Sequence, residues 1–319
     1  MPKPVAHISV VICTRNRAES LRETLACLAR ADKTGLRCEV VVVDNGGIDH
    51  TAAVAREPIH DLPIHYLVEP LTGKSHALNR ALANAPLGEI VAVLDDDMSP
   101  HPDWFAGVKA ICDRWPDKDY FTGRSYCIWP VPKVPDWCTH PRLRGWAFSV
   151  MSVSKETEVS DGRWFSGNHF WFRSRVLNDG RRFETGQPDL STHIEMSEPQ
   201  FMLKLAEDGF GGLMAPDAVC GHRIQPDLLK FEVLQRRAVR VGRGFAVARL
   251  QPYKARIKQA RLFRAHPFLS RLFCAASLIG WGAIHLASWL HPAPSARILL
   301  RLQSLERLAT YHEYLRVAK

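Results

Sequence analysis

Three observations predict an α/β fold with a mostly parallel central sheet flanked by helices. Over roughly the first hundred residues, short apolar runs alternate with segments of helical periodicity. The runs are apolar throughout rather than alternating, as in strands buried on both faces. A helical pattern separates successive runs, which is the signature of crossover connections between parallel strands.

Residues 8–13 read as the first strand. A helix follows from about Ala18, with Leu21, Leu25 and Leu28 on one face. Residues 39–43 form the second strand and 51–56 a short helix. Residues 64–68 form the third strand, and 75–83 a helix with Leu78 and Leu82 on one side. The fourth strand, 89–94, stops at three aspartates. After residue 115 the regularity fails. Pro130, Pro132, Pro135 and Pro141, with Trp129 and Trp137, predict an irregular loop without a long helix. Strand-like and helical pieces resume at 164–172 and 198–206.

The composition, 46% apolar and 24% charged, excludes a disordered or collagenous chain. Eight cysteines contain no CxxC pair, which excludes zinc ribbons and thioredoxin-type sites. Buried, reduced thiols are expected. The N-terminal apolar run is too short for a signal-peptide core, so a cytoplasmic protein is expected.

Charge is uneven. Residues 223–319 carry 18 Lys and Arg against 4 Asp and Glu, while the whole chain has a net charge of +9. Residues 236–264 hold ten basic and no acidic side chains. Residues 272–290 then run uncharged, with Trp281 and Trp289. An amphipathic helix starts at Ser295, with Ile298, Leu302, Leu305 and Leu308 on one face. Basic charge beside an apolar, Trp-bearing run points to an anionic membrane surface. No nucleic-acid motif accompanies it. The 272–290 run fits an interfacial helix, a helix packed on the protein, or a span. Ser277, Cys274, His285 and Ser288 share one helical face, which suits the interfacial reading.

Asp95, Asp96 and Asp97 are the sharpest chemical feature. Their repulsion needs relief by a cation, and oxygen-only ligands favour Mg2+ or Mn2+. Asp44 ends the second strand before Asn45-Gly46-Gly47, where glycines let a ligand approach the backbone. Thr14, Arg15 and Arg17 sit just before a helix N-terminus, a favourable place for an anion. No GxGxxG or complete phosphate loop is present, although Gly73-Lys74-Ser75 echoes the latter. Glu198 opens a helix beside Pro199, and His222 follows an apolar run.

This ordered set resembles the family 2 glycosyltransferases of the GT-A fold: the turn at 14–17, Asp44, Lys74 with Asn79, the aspartate triplet, Gly167-Asn168, Glu198 and His222. The matching stretches cover about two thirds of the chain and none of the tail. The resemblance implies that Thr14, Arg15, Arg17, Asp44, Lys74 and Asn79 bind nucleotide, and that Asp95 or Asp96 meets the ribose. It implies that Asp97 holds the metal and His222 completes its shell. Gly167, Asn168 and Trp164 would line the acceptor side, and Glu198 would be the base. Two departures stand out. Ser197 precedes Glu198 where the family often has Glu-Asp, leaving Glu195 as a rival base. Asp-Asn-Gly-Gly replaces the commoner Asp-Asp-Gly-Ser or Asp-Asn-Gly-Ser.

The resulting expectation is a catalytic domain over 1–225, with nucleotide binding at about 1–100 and acceptor binding at about 101–225. A basic helical region, 226–319, follows and is expected to associate with the membrane. The expected activity is inverting, metal-dependent transfer from a nucleoside-diphosphate sugar, with a UDP-sugar as first guess. The acceptor would be a glycan or lipid-linked molecule in bacterial polysaccharide synthesis, at the inner face of the plasma membrane. The alternatives are a sugar-nucleotide nucleotidyltransferase and a non-catalytic nucleotide-binding protein.

Overall fold

The computed structural model describes residues 6–59, 61–159, 167–186, 196–250 and 267–317. These fall into two compact units. One takes described residues from 1–128, 150–185 and 197–223, and the other from 129–149, 186–196 and 224–319. Segment 129–149, expected in the acceptor half of the first domain, thus packs with the second unit.

The first unit is built on a nine-stranded sheet among the described residues. β1 (Ala6–Thr14), β2 (Leu36–Asp44), β3 (Ile64–Val68) and β4 (Ile90–Asp95) are parallel, in the order β3-β2-β1-β4. Beyond β4 lie β8 (His169–Arg173), β6 (Tyr120–Ile128), β9 (Gly212–Arg223) and the edge strand β5 (Met98–Pro100). β7 (Thr157–Val159) pairs antiparallel with β9. Pro100 is tolerated because β5 lies at the edge, where a missing N–H costs no ladder bond.

The period of two along each strand sorts the core onto both faces. Val10, Ile12, Val40, Val42, Ala92 and Leu94 meet α1 (Ala18–Arg30) and α4 (Trp104–Arg114). Val11, Val41, Val43, Val91 and Val93 meet α3 (Lys74–Asn84) and α6 (Ser197–Glu207). Leu21, Leu25 and Leu28 are buried on α1, each stabilising by about 1.5–3 kcal/mol relative to exposure. Asp49 accepts the N–H of Ala18 at 3.0 Å and of Thr51 at 3.1 Å. It thereby caps both α1 and α2 (Thr51–Ala55).

The second unit is helical in its described parts: α5 (Pro141–Phe148), α7 (Phe231–Leu250), and two long helices. We call these α8 (Pro267–Ser288) and α9 (Pro294–Val317). Leu143, Ala147 and Phe148 of α5 are buried, and Arg237 of α7 donates to the Trp146 carbonyl at 3.3 Å. These contacts carry 129–149 into this unit. A Cβ on Gly242 would stand 2.2 Å from the Glu306 carbonyl oxygen, so only glycine lets α7 and α9 cross this closely. On α9 only Leu302 of the expected apolar face is fully buried. The polar stripe of α8 faces protein, not water. Cys274 and Ser288 are buried, and His285 Nδ1 lies 2.7 Å from Ser304 Oγ on α9. All eight cysteines are free.

Candidate active site

Parallel pairing brings the carboxyl ends of three strands level. Thr14 stands opposite Asp44, and Cys13 opposite Asp95. The expected ligand end of the sheet is therefore where the polar residues collect. β8 enters beside them, and the carbonyl of Asn168, just before it, accepts the Asp95 N–H at 3.1 Å. β9 pairs with β5 so that His222 is opposite Met98, one residue beyond the triplet.

The three aspartates have three different environments. Asp96 is buried, accepts from Thr14 Oγ1 at 2.6 Å and pairs with Arg17 Nη1 at 2.6 Å. Burial pushes its carboxyl up to about 6 in spite of these partners. Asp97 Oδ2 accepts from Arg17 Nη2 at 2.7 Å. Burial opposes its charge, yet His222 and Arg17 prevail and hold it well below the ordinary carboxylate range. Asp95 is the most open, with its side chain 31% exposed. Its Oδ1 is 2.5 Å from Lys74 Nζ.

Lys74, the first residue of α3, links the triplet to the other side of the site. It contacts Asp95, the Gly167 carbonyl at 3.1 Å, and Glu198 Oε1. Burial works against its charge, but the two carboxylates outweigh that and raise its pKa well above the usual value. Glu198 lies in the first turn of α6, 4% exposed, with Oε2 accepting from Ser197 Oγ at 2.7 Å. A Cβ on Gly167 would fall 2.9 Å from Glu198 Oε1, so the glycine leaves room for that carboxylate.

A divalent cation has a fitting donor set here. Asp97 Oδ1 is buried without a hydrogen bond among the described residues, and it faces His222 Nε2 at 3.4 Å. No group of three or more ligating side chains occurs among the described residues. The pair suits an ion that takes one or two protein ligands and completes its shell with phosphate oxygens and water.

Not every expected residue joins the cluster. Arg15 is exposed, and no ion pair reaches it among the described residues. Asp44 is buried, but Oδ1 accepts from the Gly47 N–H at 2.8 Å and Oδ2 from the Tyr66 hydroxyl at 2.9 Å. Asn79 stands apart from the triplet in its bonding. Its amide donates to and accepts from the Phe183 backbone, both at 2.9 Å. It lines a cavity of about 490 Å³ with Arg181, Phe183 and Lys204. Trp164 and Glu195 lie outside the described residues.

Sequence reading missed two positioning residues. Arg223 donates to the carbonyls of Asp96 at 3.0 Å and Met98 at 2.9 Å, bracing the triplet from behind. Its only signal was adjacency to His222. Asn45 donates to the carbonyls of Glu69 and Leu71 and accepts from the Gly73 N–H at 2.8 Å. It fixes the loop that delivers Lys74, and it reads in sequence as ordinary turn chemistry.

Residues 9–129 match the family model for glycosyl transferase family 2. The chain is 32% identical over 114 residues to glycosyltransferase AglE of Haloferax volcanii, covering 35% of this chain and 37% of that protein. It is 31% identical over 193 residues to the succinoglycan biosynthesis protein ExoM of Rhizobium meliloti, covering 58% and 57% respectively. The match thus spans between about a third and three fifths of these relatives. A mannosyltransferase from Pyrobaculum calidifontis, solved with GDP-Man and Mn2+, superposes with a TM-score of 0.63. That likeness covers 98% of this chain and 88% of the other at 22% identity, and it shows the fold. Over residues 9–129 the chain thus matches glycosyl transferase family 2, and its fold is that of the GT-A glycosyltransferases.

Proposed function

We propose that the protein transfers a sugar, with inversion, from a nucleoside-diphosphate sugar to a glycan or lipid-linked acceptor in polysaccharide synthesis. The observation that carries this is a pair of charge clusters joined at the aspartate triplet: Asp97 with His222 and Arg17, and Asp95 with Lys74 and, through it, Glu198. It sets an anion- and cation-binding half against a buried carboxylate. The ExoM similarity and the donor in the mannosyltransferase structure support the substrate class.

Asp97 and His222 would hold Mg2+ or Mn2+, which, when bound, neutralises charge growing on the diphosphate. Thr14 and Arg17 lie at the mouth of the α1 N-terminus and orient the donor phosphates. Asp44, whose two oxygens are held by the Gly47 N–H and the Tyr66 hydroxyl, would stand at the nucleoside side. Lys74 keeps a positive charge between Asp95 and Glu198, so Glu198 stays ionised and able to take a proton. Glu198 then removes the acceptor hydroxyl proton as that oxygen attacks the anomeric carbon, and the sugar–phosphate bond breaks on the opposite face. Asn168 and Gly167 border the acceptor side.

The test is turnover with a panel of nucleotide sugars and membrane-derived acceptor, read as nucleoside diphosphate released. Glu198→Gln keeps shape and hydrogen bonding, so donor binding persists while turnover falls at least ~100-fold. Wild-type turnover in this variant would overturn the assignment of the base and shift attention to Glu195.

A further inference from the structure

We propose that α8 lies flat in the surface of an anionic bilayer, apolar side down, and does not cross it. Its exposed side chains recur at helical spacing. Phe268 is 71% exposed, Leu272 53%, Ile279 75% and Leu286 71%, and Leu290, just beyond the helix, is 86% exposed. This stripe continues through exposed Ala275 and Ala283. A face of this size and regularity is costly in water and marks a docking surface.

By length and composition alone α8 would qualify as a span. Its neighbour argues otherwise. α9 packs along the opposite side: His285 meets Ser304 at 2.7 Å, and the Phe273 ring lies 5.9 Å from that of Tyr311. A crossing α8 would carry the attached Arg301, Glu306 and Arg307 into hydrocarbon, where charges are expensive. Laid flat, the pair behaves as one amphipathic unit, with α8 as its apolar half and α9 as its charged half.

The bilayer, rather than a second copy or another protein, is favoured by charge. Residues 223–319 carry a net charge of +14. The Arg301 guanidinium stacks 3.7 Å over the half-exposed Trp289 ring, and Arg297 donates to the His291 carbonyl at 2.9 Å. Cations and an indole thus sit together at one end of α8, as interfacial anchors do.

This inference is independent of the transfer chemistry. The full chain is floated with vesicles of phosphatidylcholine alone, or with about 30% phosphatidylglycerol added to supply surface charge. Binding is expected with the anionic vesicles, weakened by salt and reversed by an alkaline carbonate wash. The double variant Ile279→Asp, Leu286→Asp alters two exposed positions. It should keep its circular dichroism and bind vesicles on the order of 100-fold more weakly. Equal binding by this variant would overturn the proposal. So would retention through the carbonate wash, which indicates a span. So would a vesicle-free wild-type dimer that the same variant dissociates, which would make a second copy the occupant.

Discussion

Lys74→Met tests the electrostatic bridge at the centre of the site. The side chain serves two carboxylates and one carbonyl, at Asp95, Glu198 and Gly167. Asp95 is 31% exposed on its side chain, so water compensates much of its loss. The Glu198 side chain is only 6% exposed, with the Ser197 hydroxyl on its other oxygen, so water compensates little of its loss. Removing one partner of a buried pair costs about 3–5 kcal/mol, and the exposure of Asp95 favours the lower end, about 3 kcal/mol. The deficit depends on pH. Without Lys74, burial raises the folded-state pKa of Glu198 above the unfolded value of about 4.3. Native protein then binds more protons than unfolded protein between those two values, so its stability falls as pH rises through that window. Urea unfolding, followed by tryptophan fluorescence near pH 5 and pH 7.5, should show the larger deficit at the higher pH. The double variant Lys74→Met, Glu198→Gln removes the stranded charge and should recover at least ~1.5 kcal/mol over additivity. A pH-independent deficit below about 1 kcal/mol, or strict additivity, would refute the reasoning.

Two stability predictions follow from other parts of the first unit. Trp104 Nε1 donates to His169 Nε2 at 2.8 Å, and burial pushes this imidazole down to about 3. The contribution is complete above pH ~6.5, where the unfolded His is also neutral, and is lost as pH falls toward the folded value. The slope attributable to this residue is up to ~1.4 kcal/mol per pH unit, and His169→Gln should remove it from a urea series between about pH 7 and 5; unchanged slopes would rule it out. At Gly123, beside the β6–β9 irregularity, a Cβ would lie 2.3 Å from the Ala218 carbonyl oxygen and 2.3 Å from His169 Cε1. Gly123→Ala should therefore lower stability by about 1–3 kcal/mol in the same assay, and a neutral result would mean that β9 shifts freely.

The parallel half of the sheet was legible because its strands are apolar runs of ordinary length. Residues 64–68 coincide with β3, and the helix expected at 75–83 is α3 extended by a residue at each end. The later half was not. β6 reads Tyr-Phe-Thr-Gly-Arg-Ser-Tyr-Cys-Ile, with no sustained period, because it is buried at its start and half-open at its end. β9 contains Pro216 and pairs with β6 across an irregularity at Gly123 and Arg124, which breaks the pattern that would announce a strand. β5 is three residues long and contains a proline.

At the site, charge made the triplet visible, since adjacent carboxylates at a strand end have few structural reasons to exist; Lys74 and Glu198 open helices, where a charged residue is ordinary, and only the family resemblance singled them out. Contacts set by tertiary packing were hidden. Nothing in the local sequence says that Asn79 clasps Phe183 or that Arg223 braces Asp96. The tail inverted one expectation for the same reason. Cys274, His285 and Ser288 form a polar stripe on α8, but α9 takes that stripe and leaves the apolar side open.

The most direct measurement is calorimetric binding of UDP, GDP, CDP, ADP and dTDP, each with and without Mn2+, to wild type and to Asp97→Asn. Metal-dependent binding of one diphosphate is expected, weakened at least ~100-fold in a variant that remains folded. Binding that ignores both Mn2+ and the Asp97 substitution, or no binding of any diphosphate by folded wild type, would contradict it.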